Sequence, residues 1–243
     1  MNPITYALRR LGVREGGALV VHSSYKSLGP LAGDVQAVLE ALRAAVGGDG
    51  VLLMPALSYR HVTAEHPLFD LRATPGNVGA IPEVFRRQPG VWRSLHPTHS
   101  VCAIGNGAEM ITSDHGGDDT PVGPRSPLIA NVERRGQILM LGCSLDTNTT
   151  MHGAEEAAKV EYPFETERLE YTLIDGDGRM TKKAYRVHAS FPQHYHRITG
   201  LMPKGSFTQG MVLDARCTLF DAWELFHTAV QTLQEDPSFF MRK

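Results

Sequence analysis

Short apolar runs alternate with helical repeats along the first two thirds of the chain. Residues 18–24, 51–56 and 137–143 are apolar over most of their length, which is typical of buried strands. Residues 34–46 repeat their apolar side chains at helical spacing, and a further helix is predicted at 148–160. Strands and helices that alternate at this spacing predict a mostly parallel sheet with crossover helices.

The pattern changes in the last third of the chain. Residues 167–174 and 179–187 flank an Asp-Gly-Asp-Gly turn, which predicts an antiparallel hairpin. Apolar side chains at helical spacing predict a C-terminal helix over 218–235. We expect a single α/β domain over residues 1–243, with a mostly parallel central sheet flanked by helices and an antiparallel hairpin extension. Further elements are expected as helices at 4–12 and from about residue 77, and as a strand at 101–105.

Composition and charge are those of an ordinary soluble globular protein. The 243 residues are 42% hydrophobic and 21% charged, with a formal net charge of −2. No basic field indicates nucleic-acid binding. Cys102, Cys143 and Cys217 are far apart, which argues against a zinc ribbon or a disulfide framework. Without a signal-peptide pattern or an apolar run of membrane length, the chain is expected to be cytoplasmic and to have no membrane partner.

The segment 141–160, LGCSLDTNTTMHGAEEAAKV, carries the most informative polar residues. A buried strand ends in it and a helix begins in it, so these residues are expected at the carboxyl edge of the sheet, where open α/β proteins bind ligands. His152 then lies near the start of the helix, where the helix dipole favours a neutral imidazole. Thr149, His152 and either Glu155 or Glu156 share one helical face. A histidine oriented by a carboxylate can deprotonate an amine, although an exposed helix start with an incidental histidine fits the same spacing.

Two other loops carry groups suited to an anionic ligand. Residues 21–30, VHSSYKSLGP, leave a predicted strand with several hydroxyls and the ammonium of Lys26. Residues 93–100, RSLHPTHS, supply Arg93, Ser94 and two histidines. Neither segment contains a P-loop or a Rossmann fingerprint, and an ordinary polar loop is the alternative for both.

Histidine is concentrated in residues 184–197, AYRVHASFPQHYHR. His188, His194 and His196 would be the ligands if the protein were a metal hydrolase, which needs three converging ligands and an open position. Their spacing, H-x5-H-x-H, matches no zinc motif. Structural or substrate-contacting histidines are therefore favoured, and no metal is predicted.

Several segments together resemble the aminoglycoside 3-N-acetyltransferase family, also called the antibiotic N-acetyltransferase family. They occur in the family's order and cover most of residues 7–160. The matching segments are VHSSYKSLGP (21–30), GVLLMPA (50–56), FDLRATPGNVGAIPEVFR (69–86), RSLHPTHSVCAIG (93–105), SPLIANVERRGQILMLG (126–142) and DTNTTMHGAEEAAKV (146–160). The last is the strongest, because family members carry a similar string that ends in His-x-Ala-Glu.

The resemblance implies an α/β fold unrelated to the GNAT acetyltransferases, acetyl-CoA as the cosubstrate, and direct transfer to the 3-amino group of 2-deoxystreptamine antibiotics. His152 matches the family's catalytic histidine, and Glu155 matches the acidic residue of the same motif. No metal is required, because the thioester is already activated. The residues expected to bind CoA are His22, Ser23, Ser24, Tyr25, Lys26, Ser27, Ser94, Thr149 and Thr150.

The acceptor site is where the sequence departs from the family pattern. Family members usually place acidic residues beyond the hairpin, whereas residues 184–197 contain none. A polycationic aminoglycoside requires an acidic pocket. The residues expected to bind it are Glu65, Asp70, Asp118, Glu156 and His188.

Three alternatives stay open at this stage. The first is the same CoA-dependent transfer to a different, less cationic amine, which the histidine-rich segment motivates. The second is a remote one, the histidine-ligated metal hydrolase, and the third is a CoA-binding module without catalysis. The oligomeric state is also open, with a homodimer as one option.

Overall fold

The computed structural model describes residues 2–241, which contain ten strands and seven α-helices. The strands are β1 (Ala18–Ser23), β2 (Val51–Pro55), β3 (Leu68–Asp70), β4 (Trp92–Arg93), β5 (Val101–Gly105), β6 (Gln137–Leu141), β7 (Phe164–Ile174), β8 (Met180–His188), β9 (Phe207–Val212) and β10 (Ala215–Asp221). The helices are α1 (Pro3–Leu11), α2 (Val35–Val46), α3 (Ala80–Phe85), α4 (Ala108–Ser113), α5 (Pro127–Glu133), α6 (Thr150–Ala157) and α7 (Ala222–Glu235).

A seven-stranded mixed sheet forms the centre of the protein, in the order β4-β5-β2-β1-β6-β10-β9. Strand β1 is parallel to both of its neighbours, β2 and β6, and the outer pairs are antiparallel. The parallel part therefore consists of the three strands that the sequence predicts most clearly. Helices cover both faces of these strands, which explains why their sequences are continuous apolar runs. The predicted α/β fold is confirmed, with antiparallel strands added at both edges of its parallel centre.

Two apolar cores lie on opposite faces of the central sheet. Consecutive residues of β1 point to opposite sides, so Val21 packs in the core with α1 and α2, whereas Val20 packs in the core with α5, α6 and α7. Leu42 of α2 and Leu225 of α7 are both fully buried in these cores. Because both faces are buried, a shift of one residue in the register of the parallel strands would exchange the side chains of the two cores.

A second sheet has the order β3-β7-β8. The predicted hairpin is present as β7 and β8, and Asp175 Oδ1 accepts the backbone N–H groups of Asp177 and Arg179 in the turn, each at 2.9 Å. Phe69, Tyr171, Leu173 and Tyr185 form the buried side of this small sheet.

The structure corrects several predicted boundaries. The predicted C-terminal helix begins at Ala222 rather than 218, because Thr218 to Asp221 pair with β6 and β9 in the central sheet. The side chain of Asp221 then caps α7 by accepting the N–H groups of Trp223 and Glu224. The helix predicted at 148–160 spans Thr150–Ala157, and the helix expected from residue 77 begins at Ala80. Among residues 2–241, no helix combines the length and the apolar character that crossing a bilayer requires.

Candidate active site

A cavity of about 970 Å³ opens at the carboxyl edge of the central sheet. The ends of β1 and β2 and the segment after β6 form one wall, and the hairpin β7–β8 with the segment that follows it forms the opposite wall. Parallel strands end at the same edge, so polar residues that follow them in sequence meet here. The volume is large enough for an extended small-molecule ligand.

His152 is the third residue of α6 and lies in the wall of this cavity. Its side chain is only 10% exposed, and its Nδ1 is 3.0 Å from Oε2 of Glu155, one helical turn later. With Nδ1 directed at the carboxylate, Nε2 is the ring nitrogen left for a ligand in the cavity. The i, i+3 relation between the two residues is the one expected from their spacing.

The carboxylate of Glu155 is fully buried and held by hydroxyl donors. The hydroxyls of Tyr162 and Tyr195 each donate to Glu155 Oε1 at 2.8 Å. Burial and the charge of Glu155 raise the pKa of both tyrosines, so they remain protonated donors. Glu155 therefore keeps its second oxygen, Oε2, for His152.

Three further histidines surround His152. His188 Nε2 lies 3.0 Å from His152 Nδ1, and burial, together with the neighbouring His152, lowers the pKa of His188 to about 2. The same two causes lower the pKa of His22 to about 3. Burial, followed by the proximity of His188, lowers the pKa of His99 well below its ordinary value. These three rings are neutral near pH 7 and can accept or donate hydrogen bonds without adding positive charge.

Only part of the predicted CoA-binding set lines the cavity. His22, Ser23 and Thr149 do so. Two of these residues contribute buried atoms with no hydrogen-bond partner in the described structure, His22 Nε2 and Ser23 Oγ. Thr150 Oγ1, at the start of α6, is also buried and without a partner. His22 Nε2 and Ser23 Oγ, together with the unpartnered Nδ2 of the cavity-lining Asn77, are polar atoms available to a ligand in the cavity.

The other predicted CoA-binding residues lie outside the cavity wall. Ser24 and Ser27 bond to each other through their hydroxyls at 2.9 Å, and Ser27 also donates to the carbonyl of Gly142. Tyr25 donates its hydroxyl to the carbonyl of Gly33, and Lys26 is exposed on the short 3-10 helix that contains it.

Ser94 does not line the cavity. It is fully buried, its Oγ accepts the N–H of Val101 at 2.8 Å, and it pairs with His115 Nδ1 at 2.8 Å. Its hydroxyl is thus used inside the protein, and its role as a CoA contact stays a prediction.

Four predicted acceptor-binding acids also lie outside the cavity wall, and only His188 of that set lines it. Glu65 is exposed and accepts the hydroxyl of Thr63, and Asp70 accepts backbone N–H groups in the turn after β3. Asp118 accepts the N–H of Arg125, and Glu156 accepts the N–H of Val122, each at 2.8 Å. Their carboxylates are therefore used by local backbone or by neighbouring hydroxyls.

Two acidic residues that the sequence did not single out do line the cavity. Glu165 and Glu167 lie in β7, and Arg168 of the same strand lines the cavity with them. The acidic side of the cavity comes from the hairpin rather than from the loops that follow the central strands.

The three histidines considered as metal ligands do not converge. His196 Nδ1 pairs with Asp146 Oδ1 at 2.9 Å, and the ring centroids of His194 and His196 are 5.9 Å apart. His188 instead joins His152 and Glu155, and this is the group among the described residues whose donor atoms lie close enough to share a cation. In the described residues, His188, His194 and His196 are therefore not gathered into one ligand set.

Solved structures that share this fold identify the class of the protein. One is a histidine-to-alanine variant of aminoglycoside acetyltransferase AAC(3)-IVa in complex with a gentamicin, which is 33% identical with a TM-score of 0.85 and covers 99% of this chain and 90% of that one. Another is AAC-IIIb as a binary complex with CoASH, which is 28% identical with a TM-score of 0.82 and covers 96% of this chain and 95% of that one. An α/β protein of this kind, with a histidine–glutamate pair in its cavity, is an acyltransferase.

Sequence comparison names the family. The family model described as aminoglycoside 3-N-acetyltransferase matches residues 20–234. Aminoglycoside N(3)-acetyltransferase IV from a Salmonella species is 35% identical over 240 residues, which cover 96% of this chain and 87% of the relative. The chain belongs to the aminoglycoside 3-N-acetyltransferase family.

Proposed function

We propose that the protein transfers the acetyl group of acetyl-CoA directly to the 3-amino group of a 2-deoxystreptamine aminoglycoside, with His152 as the general base. The observation that carries this proposal is the contact of 3.0 Å between His152 Nδ1 and the buried carboxylate of Glu155, beside a cavity of about 970 Å³. An amine attacks a thioester only after it loses its extra proton, so a positioned base is the group that the reaction needs.

The histidine and the glutamate have different roles in this reaction. His152 Nε2 takes a proton from the acceptor ammonium, and the imidazolium that forms is stabilised by Glu155 through Nδ1–H. The free amine then attacks the thioester carbonyl and the carbon–sulfur bond breaks. CoA leaves as a thiolate that takes the proton from the His152 imidazolium, and the second amine proton is released to solvent. Tyr162 and Tyr195 hold the carboxylate in place through Oε1. Glu155 thus fixes the ring orientation and compensates the charge without contacting the acceptor itself.

Direct transfer is supported because two potential nucleophiles in the cavity wall, Cys143 and Ser23, are not activated. Cys143 is the cysteine that lines the cavity, and burial raises the pKa of its thiol. A thiol held in its protonated form is a poor nucleophile. Ser23 Oγ has no hydrogen-bond partner and therefore no base to activate it. An acetyl-enzyme intermediate on either residue is disfavoured, and attack by the acceptor amine itself is favoured.

Acetyl-CoA fits the polar groups at the ends of the central strands. The unpartnered atoms of His22 and Ser23, which line the cavity, can bond the amide and thioester groups of the pantetheine arm. Backbone N–H groups at the start of α6 and the hydroxyl of Thr149 can stabilise the developing oxyanion. Lys26 is the cation retained as a phosphate contact outside the cavity wall. The CoASH complex of AAC-IIIb supports the assignment.

A second candidate keeps the chemistry and changes the acceptor to a less cationic amine. The acids that line the cavity are Glu165 and Glu167, and the cation of Arg168, which pairs with Asp119, lies in the same wall. A polycation gains most from a strongly acidic pocket. The gentamicin complex of a relative supports the aminoglycoside, whereas this charge balance favours the alternative. In both cases acetyl-CoA and a small amine are the partners, no metal is required, and an intracellular cosubstrate places the reaction in the cytoplasm.

The test is acetyl-CoA consumption with a panel of gentamicin, sisomicin, apramycin and monoamines, followed by NMR of the products. We expect turnover of the aminoglycosides with the acetyl group on the 3-amino nitrogen. Turnover restricted to monoamines would select the second candidate. Acetyl-CoA binding without turnover of any amine would contradict both.

A further inference from the structure

Three groups converge on Nδ1 of His152, which can hold only one proton. Glu155 Oε2 and His188 Nε2 each lie 3.0 Å from it, and the hydroxyl oxygen of Tyr195 lies 3.1 Å from it. Tyr195 gives its own proton to Glu155 Oε1 at 2.8 Å, as Tyr162 does. The hydroxyl of Tyr195 therefore presents a lone pair to His152 rather than a proton.

No single arrangement of protons makes both 3.0 Å contacts full hydrogen bonds. When Nδ1 carries a proton, Glu155 Oε2 and His188 Nε2 compete for it as acceptors. When Nδ1 is bare, His188 Nε2–H can donate to it, but Glu155 Oε2 then faces a lone pair. The cluster has more lone pairs than protons, which is the condition that a cation relieves.

The donor atoms have the composition of a zinc site. Two imidazole nitrogens and one carboxylate oxygen, from His152, His188 and Glu155, lie within 4.8 Å of one another. Zinc takes nitrogen and oxygen ligands at about 2.0–2.2 Å in tetrahedral geometry, which separates the ligand atoms by about 3.4 Å. The two contacts to His152 Nδ1, both 3.0 Å, are therefore within about 0.4 Å of this separation. A fourth position is left for a water or a ligand in the cavity.

The surroundings of Glu155 also suit a metal ligand. A ligating carboxylate is usually oriented by hydrogen bonds to its other oxygen. Tyr162 and Tyr195 supply these bonds at Oε1 and leave Oε2 free for the cation. Glu155 is fully buried, so its negative charge attracts a cation more strongly than an exposed carboxylate would.

We propose that His152, Glu155 and His188 form a zinc-binding site whose occupation switches off acetyl transfer. A zinc ion on Nδ1 separates His152 from the carboxylate that supports it and places positive charge beside the ring, so the ring becomes a weaker base. The inhibition, unlike the binding, rests on the proposed function. Magnesium prefers six oxygen ligands and does not fit this donor set.

The binding arm uses the purified full-length chain, stripped of metal and titrated with zinc against a chromophoric chelator. We expect one zinc ion per chain, and a loss of affinity of about 100-fold or more in His188→Ala. His196→Ala, which removes a histidine outside the cluster, is the matched control and should bind zinc as the wild type does. Circular dichroism of each variant checks that it is folded. Equal zinc affinity in His188→Ala and the wild type would overturn the site, as would no binding at all.

The activity arm measures initial rates of acetyl-CoA consumption by chromatography, because the thiol of released CoA itself binds zinc. We expect inhibition whose midpoint matches the zinc affinity, reversal by EDTA, and no effect of magnesium. Zinc binding with unchanged or increased rates would overturn the inhibitory role and leave the proposed function standing. An enzyme that acetylates no amine even without zinc would sink the proposed function, while the binding arm still tests the site.

Discussion

The buried carboxylate of Glu156 should make the stability of the fold depend on pH. Burial raises its pKa from the ordinary 4.5 to about 7, and the hydrogen bonds that the carboxylate accepts from Thr120 and Val122 offset only part of this effect. Between pH 4.5 and about pH 7, Glu156 therefore binds more protons in the folded protein than in the unfolded chain. The free energy of unfolding therefore falls as the pH rises through this window and then levels off.

The magnitude follows from the two pKa values. The difference between 4.5 and about 7 corresponds to about 3 kcal/mol of lost stability above the window, and the partial solvent access of this side chain reduces it to about 2 kcal/mol. Glu156→Gln removes the titrating group and keeps an oxygen that can accept the N–H of Val122. The free energy of unfolding of the variant, relative to that of the wild type, should be about 2 kcal/mol higher at pH ~8 than at pH ~5.

Urea unfolding at the two pH values measures this difference. Glu133→Gln is the matched control, because Glu133 is an exposed glutamate near the end of α5. We expect its effect on the free energy of unfolding to be small and equal at both pH values. If Glu156→Gln changes the free energy of unfolding equally at both pH values, or lowers it more at the higher pH, then burial does not raise the pKa of Glu156 as described.

Three further predictions concern packing, positioning and charge. Gly153→Ala should destabilise the fold by about 1–2 kcal/mol in urea unfolding, because the new Cβ would lie 2.6 Å from Ile129 Cδ1; a more stable variant would show that α6 has room there. Tyr195→Phe should lower kcat about tenfold with little change in the KM for acetyl-CoA, since it removes a donor to Glu155; a lower melting temperature with unchanged kcat would indicate a purely structural role. Glu167→Gln should raise the KM for aminoglycosides several-fold at low salt and less at high salt. Glu170→Gln is the control, because Glu170 lies on the same strand outside the cavity wall, and it should leave the KM unchanged. Equal effects of the two variants on the KM would contradict a specific contact with Glu167.

The sequence predicted the parts of the fold whose environment is uniform. Strands β1, β2 and β6 are buried on both faces, so their apolar runs were unambiguous. Strand β10 was read as the start of the last helix because Leu219 continues the apolar spacing of α7. Its pairing with β6 and β9 is a long-range contact that no local period reveals.

In the candidate site, the contact within one helix could be predicted from the sequence, and the contacts between elements could not. His152 and Glu155 lie one helical turn apart, so their spacing alone brings them onto one face. Tyr195 reaches Glu155 from 40 residues away, and His188 approaches His152 from 36 residues away, by way of the hairpin and the segment after it. A pattern within one element contains no signal for such contacts. The histidine-rich composition of 184–197 was a partial signal, because residues of this segment line the cavity.

The four acids predicted to bind the acceptor lie outside the cavity wall for a different reason. Glu65 and Asp118 occur in loops, Asp70 ends strand β3 and Glu156 lies in α6, and acids in loops or at the ends of elements often bind substrates. In the folded chain each accepts backbone or hydroxyl donors of its own neighbourhood. Whether an acid faces a cavity or caps a turn depends on tertiary structure, which the sequence pattern did not specify.

Acetyl transfer by His152→Ala tests the central claim most directly, with acetyl-CoA affinity measured on the same preparation. We expect a fall in kcat of about 100-fold or more with nearly unchanged affinity, because the variant loses the base and keeps the cavity. His196→Ala, whose histidine pairs with Asp146 outside this cluster, should keep both values. A folded His152→Ala enzyme that transfers acetyl groups at close to the wild-type rate would contradict the account.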